Sequence, residues 1–506
     1  MTTTGISPSR FRITNICTTL DHLHEIVEAY SAFDEFVFDV ETRGAHRGRP
    51  ELAEVAWVSL AGPGRTDVIP CGHINGEMLE KAGQKRLPTR DVDGNQLFTE
   101  KGNARYSIQP IPPVFGPPPE QLWPSQVFGA LEPLFFSERR KIGHNVKFDL
   151  TAVAKYYDDR VPPQPYGDTI VLHHLLNESM GAYKLDALIA KKYGLKYSDG
   201  KLGKIGIDNF DFWTVAKYSH LDVKYTWLLW KPFFRKLQPL ELMPVFDMEM
   251  GVLEALVYME REGATIDVDM IEDMRKRIDA KSEMIKRKLH KEAGKVWNVD
   301  APLEKGWFVY KVRGHEPKVF TPKTKQPSTK AEDLEKYADK DPMVGLLSEY
   351  SQLHTLKSTF VDGLYEKLVE GKLHPSFLQA GTTTGRFSCA KPNLQNIPRV
   401  TEERTEFQVR DLFVAPEGHS LIVADYSQIE YRLFAHFSQD KYMIEMFTKG
   451  VDAHSAMASL ILGKPPEDLT PEERTLYGKV VNFAIGFGSG PNTLARTAKI
   501  STRKAA

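Results

Sequence analysis

Two acids stand two residues apart in Phe36-Val37-Phe38-Asp39-Val40-Glu41-Thr42, a run of aromatic and β-branched residues that reads as a strand. Residues two apart on a strand project to the same side, so Asp39 and Glu41 lie together. Carboxylates that close repel each other unless a cation sits between them. Further along, KIGHNVKFDL carries Asp149, with Asn145 four residues earlier near a helix start. YSHLDVKYTWLLW puts Tyr218 and Asp222 four apart, on one face of an amphipathic helix. The chemistry on offer is the holding of cations by acids gathered from distant stretches.

A second set of reactive residues lies in the last quarter. In Leu421 to His436, LIVADYSQIEYRLFAH, the apolar run Leu421-Ile422-Val423 reads as a buried strand with Asp425 at its C-terminal end, and Ile429, Leu433 and Phe434 then follow at helical spacing. An acid in that place can also be a helix N-cap. Thr470, Pro471 and Glu473 form a helix entry: Thr470 as N-cap, proline at the first position and glutamate at the third. Lys479, Phe483 and Phe487 recur every four residues beyond it, so a cation and two rings share a face that could meet a triphosphate and a base pair. Such a stripe can equally be plain core. In TTTGRFSCAKPNLQNIPR, Arg386 carries a guanidinium able to reach minor-groove acceptors, which are alike for all base pairs.

Three blocks, GTTTGRFSCAKPNLQNIPR from Gly381 to Arg399, DYSQIEYR, and GKVVNFAIGFGSG from Gly478 to Gly490, resemble in that order the family A DNA polymerases, the group of bacterial DNA polymerase I and many phage replicases. The acids of the N-terminal part resemble the family's 3′-to-5′ proofreading exonuclease, in the subtype that ends in tyrosine. The resemblance implies that Asp39, Glu41, Asp149 and Asp222 hold two Mg²⁺ or Mn²⁺ ions and that Tyr218 orients water. It implies that Asp425, with the carbonyl of Tyr426, holds metal for an incoming deoxynucleotide, and that Glu430 excludes a 2′-hydroxyl. It places Asp452, His454, Arg474, Lys479, Phe483 and Phe487 around the nucleotide, and Arg386, Asn393, Gln395 and Asn396 at the primer terminus. Two departures stand out. The family's finger arginine lies four residues before the lysine, where this chain has Thr475, and on an α-helix Arg474 falls about 100° away. Phe487 replaces a usual tyrosine. The family's third palm motif, a His-Asp-Glu turn, is not found in the 506 residues, so a second polypeptide supplying the rest of the palm, or a truncated product, is expected. The reading is thus the N-terminal part of a DNA-directed DNA polymerase of phage type acting on primer-template DNA and dNTPs. A stand-alone exonuclease or a non-catalytic DNA-binding scaffold is the alternative.

Positioning these residues requires several domains, and 506 residues suffice for about three. The fold expected is an α/β exonuclease domain over 1–235, a ribonuclease H-like mixed sheet with flanking helices. A helical thumb over 236–380, a partial palm over 381–440 and partial fingers over 441–506 of a right-hand polymerase follow. Residues 62–125, rich in glycine and proline, read as an extended loop. Charged helical patterns close at Gly263 and Gly294. The series Arg277, Lys281, Lys286, Arg287, Lys288 is a candidate DNA surface, or simply a solvated face. Sixty-six basic against sixty-seven acidic residues give a formal charge of −1, so any nucleic-acid contact depends on local basic surfaces. Three scattered cysteines exclude a disulfide framework and fit a reducing cytosol, and no eighteen apolar residues run together. The resemblance implies a bacterial or phage-infected cytoplasm.

Overall fold

The structure, a computed structural model, describes residues 15–44, 49–81, 83–88, 106–179, 181, 183–198, 202, 205–322, 324–398 and 406–497. Arg399, residues 82 and 89–105 of the glycine- and proline-rich segment, and the closing residues 498–506 lie outside them. The chain divides into two compact units, Met1–Pro416 and Glu417–Ala506.

Within the first unit the alternation read from the sequence builds the sheet. Strands β1 (Asn15–Ile16), β2 (Glu35–Arg43), β3 (Glu54–Gly62), β4 (Arg65–Pro70), β9 (Arg140–Gly143) and β10 (Tyr166–Asp168) pair in the order β1-β4-β3-β2-β9-β10. The β2–β3 and β3–β4 pairs are antiparallel and the rest parallel, which is the expected mixed sheet. Phe36 and Phe38 of β2 point into the core below α1 (Leu20–Ser31) and α2 (Pro124–Phe135), with the Phe38 and Phe135 rings 5.0 Å apart. Asp39 and Glu41 take the opposite face, where helix α6 (Phe212–Phe234) packs. Between these stand α3 (Val146–Ala154), α4 (Thr169–Leu176) and α5 (Leu185–Tyr193).

The glycine- and proline-rich segment departs from the loop expectation. Its start, β4, is a sheet strand buried from Thr66 to Pro70, entered through a turn at Gly64 with φ +72. The short strands β5 (Met78–Glu80), β6 (Gly83–Pro88), β7 (Tyr106–Ile111) and β8 (Val114–Phe115) pair among themselves, β5 with β8 and β6 with β7. A short, fully buried strand shows no alternation, and Val68-Ile69 between turn residues carries too little signal to separate it from a loop.

The helical region is as its patterns indicate. Helices α7 (Met243–Glu262) and α8 (Val268–Ala293) end at Gly263 and Gly294, both at positive φ. Helix α9 (Ala331–Ala338) starts one residue after Lys330, so Ser328 and Thr329 are not its N-cap. Arg277, Lys281 and Lys286 are paired with Asp273, with Glu349 and Glu406, and with Glu283 respectively, as on a solvated face. After the antiparallel pair β11 (Ala264–Thr265) and β12 (Lys372–Leu373), a hairpin of β13 (Ser376–Leu378) and β14 (Ser388–Ala390) carries the TTTGR turn.

The second unit corrects the expectation of a partial palm. Among its described residues there is no strand: α10 (Ile429–Ser438), α11 (Lys441–Thr448), α12 (Ala453–Leu462), α13 (Val480–Gly486) and α14 (Pro491–Thr497) make it helical. Leu421–Val423 is neither a strand nor buried, Ile422 being 91% and Val423 94% exposed. An apolar run becomes a strand only when a neighbour pairs its N–H and C=O groups, and none of the described segments does so. Among the described residues no helix is long and apolar enough to cross a membrane.

Gly167 of β10 lies under the ring of Trp230 on α6, where a Cβ would come within 2.6 Å of Trp230 Cη2. Gly167→Ala is therefore expected to cost about 1–3 kcal/mol by overpacking. A thermal melt of the full chain checks this, and an unchanged Tm would contradict the packing described.

Candidate functional site

Ligand atoms of Asp39, Glu41 and Asp222 lie within 4.8 Å of one another. Strand alternation supplies the first two, and α6, started by an Asp211 N-cap that accepts from Thr214 N–H at 2.9 Å, delivers the third. Asp149 comes from the first turn of α3, and its Oδ1 accepts the Val40 N–H at 3.0 Å, between the two acids of β2. The start of α3 is set by Asp168, whose carboxylate accepts from Val146 N–H at 2.8 Å and from Ile170 N–H at 2.7 Å. One side chain thereby caps two helices. Asn145, at φ 72, is the N-cap position of α3 and lines the cavity described below.

The electrostatics follow from burial and crowding. Desolvation, then Asp149, Glu41 and Asp222, hold Asp39 well above the ordinary carboxylate range. Glu41 is raised by burial and by Asp222 and Asp149, with Ser219 Oγ donating to it at 3.5 Å as a small offset. Asp149 is raised by burial against the Val40 hydrogen bond. Asp222 rises to about 7, burial outweighing the hydroxyls of Tyr197 and Tyr218 that face it. Asp222 Oδ1 is buried without a hydrogen-bond partner. A set of oxygen donors that repel, with one buried oxygen unsatisfied, could hold a hard divalent cation.

A cavity of about 760 Å³ opens on this cluster, lined by Asp39, Tyr218, Asp222, Asn145, Lys147 and Tyr197 among others. Phe377 to Gly381, the approach to the TTTGR turn, form another part of its wall. Sequence reading missed Tyr197, Asp168, Lys147 and this wall. The only legible signal was Asp168 before the apolar run of α4, an ordinary N-cap pattern that says nothing of its second helix. His144 Nδ1 meets Thr169 Oγ1 at 2.8 Å, and burial lowers its pKa to about 3. Arg386, Asn393, Gln395 and Asn396 are exposed on or after the β13–β14 hairpin, where Gln395 Nε2 donates to Phe387 O at 3.0 Å beside Arg386.

The second unit has its own cavity, about 280 Å³, lined by Asp425, Tyr426, Glu430, His454, Arg474, Lys479 and Phe483 among others. The capping box at Thr470 and Glu473 is present. From Arg474 to Lys479, however, the chain is a π-helix. A π-turn closes from residue i to i+5 and is wider than an α-turn, so α-helical spacing does not fix the angle between Arg474 and Lys479, and both line the cavity. Arg474 donates to Asp452 through Nε at 2.6 Å and Nη2 at 3.0 Å, while Asp452 also caps α12 and accepts from Gln428 Nε2 at 2.8 Å. Burial works to raise Asp452, but these bonds from Arg474 and Ser455 hold it far below the usual range. His454 Nδ1 lies 3.1 Å from Asn482 Nδ2. Phe483 and Phe487 stack at 6.0 Å, with only Phe483 lining the cavity.

Such an assembly of acids beside a cleft, followed by a cationic helix facing an acid in a second unit, matches a known class of enzyme. Residues 268–506 match the family model described as DNA polymerase family A, and residues 119–238 that described as 3′-5′ exonuclease. Residues 268–506 are thus similar to the family A DNA polymerases and residues 119–238 to a 3′-5′ exonuclease. It is 30% identical to DNA polymerase I of Pseudomonas aeruginosa over 426 residues, 82% of this chain and 46% of that protein. It is 34% identical to DNA polymerase I of Bacillus subtilis over 350 residues, 67% of this chain and 39% of that protein. The chain thus spans less than half the length of either relative. Its fold resembles the POL domain of Pol1 from M. smegmatis, solved in complex with DNA primer-template and dNTP, at a TM-score of 0.71 and 22% identity, covering 97% of this chain and 74% of that one. These matches overturn the expectation of a partial palm and fingers completed by a second polypeptide. The family model reaches residue 506 and the fold match takes in 97% of this chain.

The raised carboxylates fix a pH dependence. A folded-state pKa of about 7 for Asp222, against 3.8 ordinarily, means the folded chain keeps protons that the unfolded chain releases. Stability of the metal-free protein from this source is therefore full below about pH 4 and falls as pH rises toward 7. Thermal melts in EDTA at about pH 5 and about pH 8 should show a smaller loss in the Asp39→Asn/Asp222→Asn double variant than in the parent, and Mg²⁺ should restore only the parent. Equal slopes for both proteins would contradict the arrangement.

Proposed function

We propose that this chain is a DNA-directed DNA polymerase of family A that shortens as well as extends primer 3′ ends, using Mg²⁺ or Mn²⁺. The observation that carries the reading is the approach of Asp39, Glu41 and Asp222 within 4.8 Å beside a cleft, with Asp149 pinned next to them. In this class of site two ions about 3.5–4 Å apart stabilise the attacking and leaving oxygens of an in-line phosphodiester hydrolysis. The four acids hold the ions, and Tyr218 orients the water.

In the second unit Asp425 and the Tyr426 carbonyl take the metal of an incoming nucleotide, and Glu430 selects against a 2′-hydroxyl. Arg474 and Lys479, which both line the second cavity, meet its phosphates, and Phe483 meets its base, with Phe487 stacked behind. Asp452 and His454 brace that face. Arg386, Asn393, Gln395 and Asn396 contact the primer terminus. The setting in this reading is the cytoplasm of a bacterium or an infected host, which suits three buried cysteines that are all free.

Labelled primer-template incubated with Mg²⁺ should be shortened from its 3′ end, and Asp149→Ala should reduce the rate at least about a hundredfold. Shortening that persists in the variant would sink the exonuclease assignment. With dNTPs present, template-directed extension should be lost in Asp425→Ala, and Lys479→Ala should raise the dNTP KM about tenfold. Variants that extend like the parent would contradict the second site.

A further inference from the structure

Lys147 and Glu260, 5% and 6% exposed, form a buried ion pair between α3 and α7. Both charges are also spent on one residue of β13. Lys147 Nζ donates to Phe377 O, and Glu260 Oε1 accepts from Phe377 N–H at 2.6 Å. The cation thus meets the carbonyl and the anion meets the amide, so the pair supplies Phe377 with what a neighbouring strand would supply. The same stretch is tied twice more to α7, by His374 Nδ1 against Glu260 O at 2.9 Å and by Gln379 Nε2 donating to Glu249 O at 2.8 Å.

A buried ion pair is a poor source of stability, since apolar side chains of similar volume commonly do as well. What it does supply is a fixed position. Phe377, Leu378 and Gln379 line the same cleft as Asp39 and Asp222. Lys147 itself stands two residues before Asp149 on α3, so the clasp ties that wall to the helix bearing one of the acids. We propose that Lys147 and Glu260 are positioning residues that set the width of the exonuclease cleft and thereby its preference for a single-stranded 3′ end over a paired one. This rests on the exonuclease reading above.

The test is steady-state degradation of a single-stranded 3′-ended oligonucleotide and of a blunt duplex by the full chain. Three variants are compared with the parent: Lys147→Met/Glu260→Leu, the charge swap Lys147→Glu/Glu260→Lys, and Gln379→Leu. The apolar pair keeps the volume and loses the clasp. The swap keeps an ion pair but turns its polarity against Phe377. In both, KM for the single strand should rise about tenfold with kcat within about threefold, and the preference over duplex should shrink. Gln379→Leu, which leaves the buried charges in place, should move KM in the same direction by about threefold and serves if a charge variant does not fold. A folded variant with the parent's KM and preference, or one whose kcat falls at unchanged KM, overturns the clasp. Failure of the parent to degrade either substrate overturns the exonuclease reading itself.

Discussion

Like charges held together away from water govern the first unit. Three carboxylates within 4.8 Å, with a fourth close by, raise one another's pKa and would separate if the backbone allowed it. The backbone does not allow it. β2 fixes the spacing of Asp39 and Glu41, α6 is pressed on that face by a core that includes Trp57 and Phe212, and the Val40 N–H holds Asp149 across 109 residues of sequence. The repulsion is opposed by packing and would be relieved by a bound cation, so fold and chemistry meet in one cluster.

The second unit works with opposite electrostatics. Asp452 is saturated by Arg474, Ser455 and Gln428, and its charge is permanent across the physiological range. It holds Arg474 in the wall of a cavity that Lys479 also lines, the two standing at the ends of one π-turn.

Motifs whose chemistry depends on local periodicity were legible in the chain itself. Asp39 with Glu41 needs only the two-residue repeat of a strand, Tyr218 with Asp222 only the helical turn, and Gly263 and Gly294 only the need for positive φ at a helix end. Features made by long-range contact were not. Asp168 capping two helices, the clasp of Lys147 and Glu260 on Phe377, and the burial of β4 all depend on neighbours that sequence spacing does not identify. Leu421–Val423 failed the other way: its apolar pattern suits a strand, yet pairing is a property of two segments. Arg474 is intermediate: it was singled out in the chain, but the π-turn it stands on is not foreseen by α-helical spacing.

The most direct measurement is a crystal structure grown with Mn²⁺, read by its anomalous scattering. Density among Asp39, Glu41 and Asp222, abolished in Asp222→Asn, is the result this account predicts. Crystals of the parent showing these side chains turned apart, with Mn²⁺ bound elsewhere or not at all, would contradict it.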